Sequence, residues 1–224
     1  MGFITELKEV QGHDTTKLHV NHTNDLRKVE AIIDQYEQHL QIQRNKIVGV
    51  DLEYTYEVAQ QQKTALIQLS VGKTHLVLLF QLSATQQRWK VFDNFLLDQR
   101  YTFASFSIYQ DIEKLHRVDL HIMHFVDIQK EWKVPGSTKH MDSLGDVSSM
   151  LIDDYMSMKQ KLTNEDHKRW ACMPLSMKHV EYAAKDAYAA YEIWSRITVT
   201  RNGLRCTMLQ KSKKRARTWG DDGW

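Results

Sequence analysis

Lys46-Ile47-Val48-Gly49-Val50-Asp51-Leu52-Glu53 is the stretch on which the reading of this chain turns. Its β-branched residues favour a strand, and strand side chains two apart share a face, so Asp51 and Glu53 point the same way. Gly49 lies on that face as well, either as a small residue beside the carboxylates or as room for a packed helix. Asp-x-Glu alone says little, because strand ends that face solvent often carry acids. Three residues further along the chain give it weight. Asp111 stands in the middle of the chain, and Tyr182 and Asp186 stand four apart in the alanine-rich helical segment 180–188, on one face of the helix.

Carboxylates that converge repel one another and raise each other's pKa unless cations neutralise them. Asp51, Glu53, Asp111 and Asp186 therefore imply metal, and hard oxygen donors select Mg²⁺ or Mn²⁺ over zinc. Two such ions about 3.5 to 4 Å apart can stabilise both the attacking and the leaving oxygen of a phosphoryl displacement. The Tyr182 hydroxyl can hold the attacking water. Together the five residues read as a two-metal phosphodiesterase site.

Over roughly residues 17–197 the chain resembles the ribonuclease D and Werner-type branch of the DnaQ-like 3′–5′ exonucleases, the DEDDy type, whose motifs spell Asp-Glu-Asp-Asp with a tyrosine. The landmarks are Val48 to Glu53, Thr64 to Ser70, Asp111-Ile-Glu-Lys-Leu115, Trp170 ahead of Pro174-Leu175-Ser176, and Tyr182-Ala-Ala-Lys-Asp186-Ala-Tyr188. Small single-domain plant members, such as the RISC-interacting clearing exoribonucleases, are similar in size. The resemblance implies that Asp51, Glu53 and Asp186 hold the metal nearer the nucleophile, with Asp51 bridging to a second ion on which Asp111 acts partly through water. It also implies that Tyr182 with Glu53 orients the water. The sister branch has a histidine five residues before the last aspartate; Glu181 stands there, and His179 is out of register. Two departures stand out. Phe103-Ala-Ser-Phe-Ser-Ile108 occupies a strand where many relatives have glycines, a bulk expected to tilt the strand or crowd the phosphate. Met150 to Lys159 lacks the glycine that relatives often carry before the next helix.

With 224 residues and 42% hydrophobic content, the chain suits one domain with a sizeable core and leaves no room for a helicase. Cys172 and Cys206 fit neither zinc spacing nor a disulfide framework, which points to a reducing compartment. No secretory signal and no run of 18 apolar residues is present, so an intracellular protein of the cytoplasm or nucleus, with no membrane partner, is expected. Net charge is +2, but residues 211–224 carry five basic and two acidic groups, +3, which leaves −1 on residues 1–210. Phosphate contacts each need a cation, so this body suits metal-dependent binding of a few 3′-terminal nucleotides. Lys213 to Arg217 fits a nuclear import signal, an arm on RNA or a solubilising tail, and Trp219 and Trp224 beyond it are unexplained.

The expected division is a flexible lead at 1–15, an exonuclease domain at 16–200 and a basic tail at 201–224. Lys17 to His22 alternates as an edge strand that a second subunit could cover. Asn24 is placed to cap a helix whose stripe is Leu26, Val29, Ile32, Ile33, Tyr36 and Leu40. Strands at 46–54, 64–70 and 74–80 with short turns, among them 60–63, form an antiparallel meander. Helices at 84–97 and 110–117, strands at 101–107 and 121–126, and a long helix from Ser176 to about Thr198 complete an α/β fold. It is a ribonuclease H-like mixed central sheet flanked by helices, as the resemblance also implies. His116, His121 and His124 read as surface or packing residues, Trp170 as a core anchor ahead of a base-stacking platform, and Lys185 as solvated or touching a phosphate. The expected activity is hydrolysis of single-stranded 3′ ends, RNA ahead of DNA, releasing 5′-monophosphates, with specificity from a protein partner. The rival is a nucleic-acid-binding scaffold that kept the fold without turnover.

Overall fold

The strand read from Lys46 onward is β3, Ile47–Tyr54, in the computed structural model, which describes residues 4–58, 61–85, 90–153 and 161–218, with Lys73, Gln110 and 203–218 as backbone alone. It has a neighbour on each side. Among the described residues one seven-stranded sheet runs β1-β2-β5-β4-β3-β6-β7, where β1 is Thr5–Gln11, β2 Lys17–Thr23, β4 Thr64–Val71, β5 Leu76–Gln81, β6 Thr102–Ser105 and β7 Phe125–Asp127. The meander β3-β4-β5 is antiparallel, as its short turns predict, while β2 joins β5, β6 joins β3 and β7 joins β6 in parallel. The sheet is therefore mixed.

Strand alternation sorts the core into two layers. Val48, Val50 and Leu52 pack with α1, Leu26–Gln41, and α2, Lys90–Leu97. Ile47 faces the opposite layer, built on α7, Met177–Thr218, whose Ala183, Ala184, Ala187 and Ala190 are buried. Tyr36 pins α1 to the sheet: its hydroxyl lies 2.9 Å from both the Leu69 and Leu76 carbonyls and accepts from Leu78 N at 3.1 Å. Short helices α3 (Ile112–His116), α4 (Ile128–Glu131), α5 (Leu144–Leu151) and α6 (Asn164–His167) fill the links. Each of α5 and α6 starts with a capping box, Ser143 with Asp146 and Thr163 with Asp166.

Several expectations need correction. The flexible lead at 1–15 gives way to β1 within it, paired along its whole length with β2, so Lys17 to His22 is not an edge strand; β1 is the edge. Asp25, not Asn24, caps α1, accepting from Arg27 N, and Asn24 instead accepts from Ile4 N at 2.8 Å, which fastens the N-terminal strand. The helix expected over 84–97 is α2 from Lys90, preceded by a 3-10 turn at Leu82–Ala84; residues 86–89, like 59–60 of the turn before β4, lie outside the described residues. The strand at 101–107 stops at Ser105, because Ser107 adopts a left-handed backbone, φ 67°, held by its N–H donating to Asp127 Oδ1 at 2.9 Å. β7 begins at Phe125 rather than at His121. Helix α7 continues past Thr198 through the start of the basic tail to Thr218. Trp219, Trp224 and residues 154–160 of the Met150 to Lys159 segment lie outside the described residues.

Candidate active site

Gly49 decides how close α7 comes to β3. A methyl group there would sit 2.1 Å from the Ala187 carbonyl oxygen and 2.7 Å from Tyr191 N, so helix backbone runs directly over the strand. Gly49 is therefore the residue that admits a packed helix, and the same packing positions the acids. Asp51 and Glu53 follow Gly49 on the same face, and Asp186 precedes Ala187 on the helix, so the close crossing delivers Asp186 beside the strand carboxylates. Asp51, Glu53 and Asp186 each bring a carboxylate oxygen within 4.8 Å of the others, the one such ligand group found among the described residues. At Glu53 and Tyr54 the pairing of β3 with β4 shifts register, which ends the regular ladder beside the acids.

A cavity of about 230 Å³ opens over this group and is lined by Asp51, Glu53, Asp111, Tyr182 and Asp186, the five residues singled out from the sequence, together with Tyr54, Phe106 and Leu144. Asp111 closes the turn between the 3-10 segment Ile108–Gln110 and α3. It lies on the cavity but outside the 4.8 Å group, and its Oδ1 accepts from Lys114 Nζ at 3.2 Å. Burial and then the carboxylates of Asp186, Glu53 and Asp51 push the Tyr182 hydroxyl well above the ordinary tyrosine range, so it stays protonated. Burial, then Asp111, do the same to Tyr54, whose hydroxyl is buried next to that carboxylate without a well-formed hydrogen bond.

The surroundings qualify other readings. Lys185 is not solvated: it is 4% exposed and bonded to Glu181 at 2.6 Å, one turn back on α7. His179 is structural, its ring nitrogens meeting Ser176 Oγ at 2.7 Å and the Asp166 carbonyl at 2.9 Å, with its edge on Trp170. Trp170 is buried in the α7 layer, as a core anchor should be, yet it also borders a second cavity of about 280 Å³ with Glu53, Tyr54, Tyr56, His167 and Lys168. The His116 and His121 rings meet at 4.5 Å between centroids, tilted by 37°, and neither lines the cavity. Of the departures, Phe103 turns into the core, whereas Phe106 reaches the cavity wall. Tyr54 and Lys114 were missed from sequence, although their spacing was visible: Tyr54 adjoins Glu53, and Lys114 stands three residues after Asp111, one helical turn away.

Three oxygen donors this close suit a divalent cation, so the residues present fit the metal that the carboxylate pattern implies. No match was found among curated proteins. Solved structures share the fold at low identity. Trypanosoma brucei RNase D in complex with RNA U12 has TM-score 0.59 and 16% identity over 79% of this chain and 61% of that one. Escherichia coli RNase D, described as an exoribonuclease involved in structured RNA processing, gives 0.62 and 16% over 85% and 49%, and Brucella melitensis NrnC 0.54 and 19% over 80% and 89%. The chain thus spans about three fifths of the trypanosomal protein and half of the E. coli one. The 3′-5′ exonuclease family model matches residues 20–200, from β2 to the packed part of α7. A match of that extent, on a mixed sheet that brings four carboxylates and a tyrosine to one cavity, means that the chain belongs to the 3′–5′ exonuclease family, in its DnaQ-like, DEDDy-type branch.

Proposed function

We propose that this protein hydrolyses single-stranded nucleic acid from its 3′ end, RNA ahead of DNA, releasing nucleoside 5′-monophosphates with the help of two Mg²⁺ or Mn²⁺ ions. The observation that carries the reading is the group Asp51, Glu53 and Asp186, within 4.8 Å, in a cavity that also holds Asp111 and Tyr182. Asp51, Glu53 and Asp186 would hold one ion, with Asp51 and Asp111 serving the second. Bound there, such ions supply positive charge to the attacking and leaving oxygens of an in-line displacement. The chain's own groups do the rest. Tyr182, kept protonated, orients the attacking water by hydrogen bonding rather than by taking its proton, and Glu53 beside it fixes the water's second direction. Phe106 and Leu144 form an apolar wall that limits water at the reacting phosphate. The trypanosomal relative's complex with RNA supports a nucleic-acid strand as substrate and the lean towards RNA. Among the described residues no helix is long and apolar enough to cross a membrane.

The test is digestion of matched single-stranded RNA, single-stranded DNA and 3′-overhang substrates in Mg²⁺ and Mn²⁺, with EDTA and Asp51→Asn as controls. A ladder from the 3′ end that both controls abolish is the expected result, and its intensity on RNA against DNA reads the sugar preference. Intact strands despite measurable binding would assign the chain to the scaffold reading, for which Phe106 on the cavity wall is the structural argument.

A further inference from the structure

Lys114 sits where a cation is wanted. Its Nζ lies 3.2 Å from Asp111 Oδ1 and 3.7 Å from the centre of the Tyr54 ring, so the side chain reaches from α3 to the strand residue next to Glu53. The lysine side chain is 21% exposed and that of Asp111 23%, which removes much of the solvent screening that weakens surface pairs. The ring face adds a second attraction, from its quadrupole. Two independent contacts thus hold one ammonium against the single cavity carboxylate that lies outside the Asp51, Glu53 and Asp186 group.

A helix-start ion pair would explain the Asp111 contact, since the two residues are one turn apart, but it leaves the Tyr54 contact unaccounted for. An ammonium aimed only at a substrate phosphate would be expected to face the open cavity instead of lying over a half-buried ring. We propose that Lys114 is a resident counter-ion for Asp111: it neutralises that carboxylate while the site is incomplete, and it must withdraw before Asp111 can offer its oxygen to a divalent cation. The proposal rests on the reading of Asp111 as a ligand. The ammonium occupies Asp111 Oδ1 and repels a cation approaching the same carboxylate, so lysine and metal compete there. A four-carbon stem lets the ammonium swing away, which a guanidinium fork would do less readily. The device makes occupation of the Asp51 group the easier step and occupation at Asp111 the harder one.

Calorimetric titration of the full chain with Mn²⁺ tests this without turnover. Wild type should show a tighter and a weaker step. Lys114→Met should tighten the weaker step by about fivefold, the scale of a partly exposed ion pair, and leave the tighter one in place. Lys114→Arg, which keeps the charge, should restore the weak step. In an Asp111→Asn background, Lys114→Met should change nothing. The proposal is overturned if Lys114→Met leaves the weaker step unaltered. It is equally overturned if Lys114→Met tightens binding by the same factor in the Asp111→Asn background as in wild type, which would mark a through-space charge effect. Asp51→Asn reports on the parent reading separately, because it must abolish the tighter step. If that substitution removes binding while Lys114→Met does nothing, the metal site stands and the counter-ion falls; if wild type takes up no Mn²⁺, both fall.

Discussion

Tyr182 has its hydroxyl held in the protonated form by burial and by three carboxylates, and it lies on the cavity beside them. A group that only orients water should matter for rate and not for metal uptake. Tyr182→Phe is therefore expected to slow single-turnover digestion about 100-fold while leaving Mn²⁺ binding near the parental value; equal rates would remove the tyrosine from the proposed chemistry. Because its pKa in the metal-free chain is raised, spectrophotometric titration in EDTA should show this phenol ionising only above about pH 10. Stability follows the same sign. Tyr36, Tyr54 and Tyr182 all keep their protons longer in the folded chain, whereas unfolded tyrosines release theirs near pH 10. Their contribution is fully present below about pH 10 and declines above it, since the native state then binds more protons than the unfolded one. Urea unfolding at neutral pH and at about pH 10.5 measures this, and Tyr182→Phe should show a smaller alkaline loss than wild type.

The approach of α7 to β3 is the element-scale feature on which the acids depend. An alanine at Gly49 would meet helix backbone, the Ala187 carbonyl and Tyr191 N, whereas one at Gly72 would meet only the ring of Tyr191. A ring can turn aside and a helix axis cannot, so Gly49→Ala should cost about 3 kcal/mol in urea unfolding and Gly72→Ala clearly less. Gly49→Ala should also lower activity, because Asp186 rides on the displaced helix. Equal costs for the two variants would show that the crossing is not the tight point. β3 was legible because its two faces are each consistent, Val48, Val50 and Leu52 on one and Gly49, Asp51 and Glu53 on the other. β1 was not, because its apolar residues fall on opposite faces: Val10 is buried and Leu7 is 69% exposed, which destroys the alternation. The five cavity residues could be read from type and order alone. Lys185 was only half legible: its i,i+4 spacing from Glu181 shows the ion pair, but not that packing leaves the lysine 4% exposed. Helix α7 runs on past its expected end to Thr218, through a segment in which Leu, Met, Gln, Lys and Arg, all good helix formers, predominate from Leu204 onward.

At the scale of the whole molecule, charge is separated from chemistry. Residues 1–210 carry −1 and the last fourteen carry +3, so the part of the chain that holds the carboxylate group has little general attraction for a polyanion. A short 3′ end held through the proposed metal ions would need none, but a long strand would gain from every additional phosphate contact, each of which changes the salt slope by about 0.7 on single strands. The basic residues from Lys211 to Arg217 are the obvious source of such contacts, and they follow Ile197, the last buried position of α7 among the described side chains, by more than three helical turns. Ending the chain after residue 210 should therefore spare the fold and the rate on a dinucleotide, while raising KM on long RNA and flattening its dependence on salt. The dinucleotide is the internal control: a truncation that slowed both substrates alike would mean that the helix end supports the domain, and one that left the salt slope of long RNA unchanged would mean that the tail does not touch the strand. Only a loss confined to long substrates, growing as salt falls, fits an arm that adds phosphate contacts to a nearly neutral catalytic body.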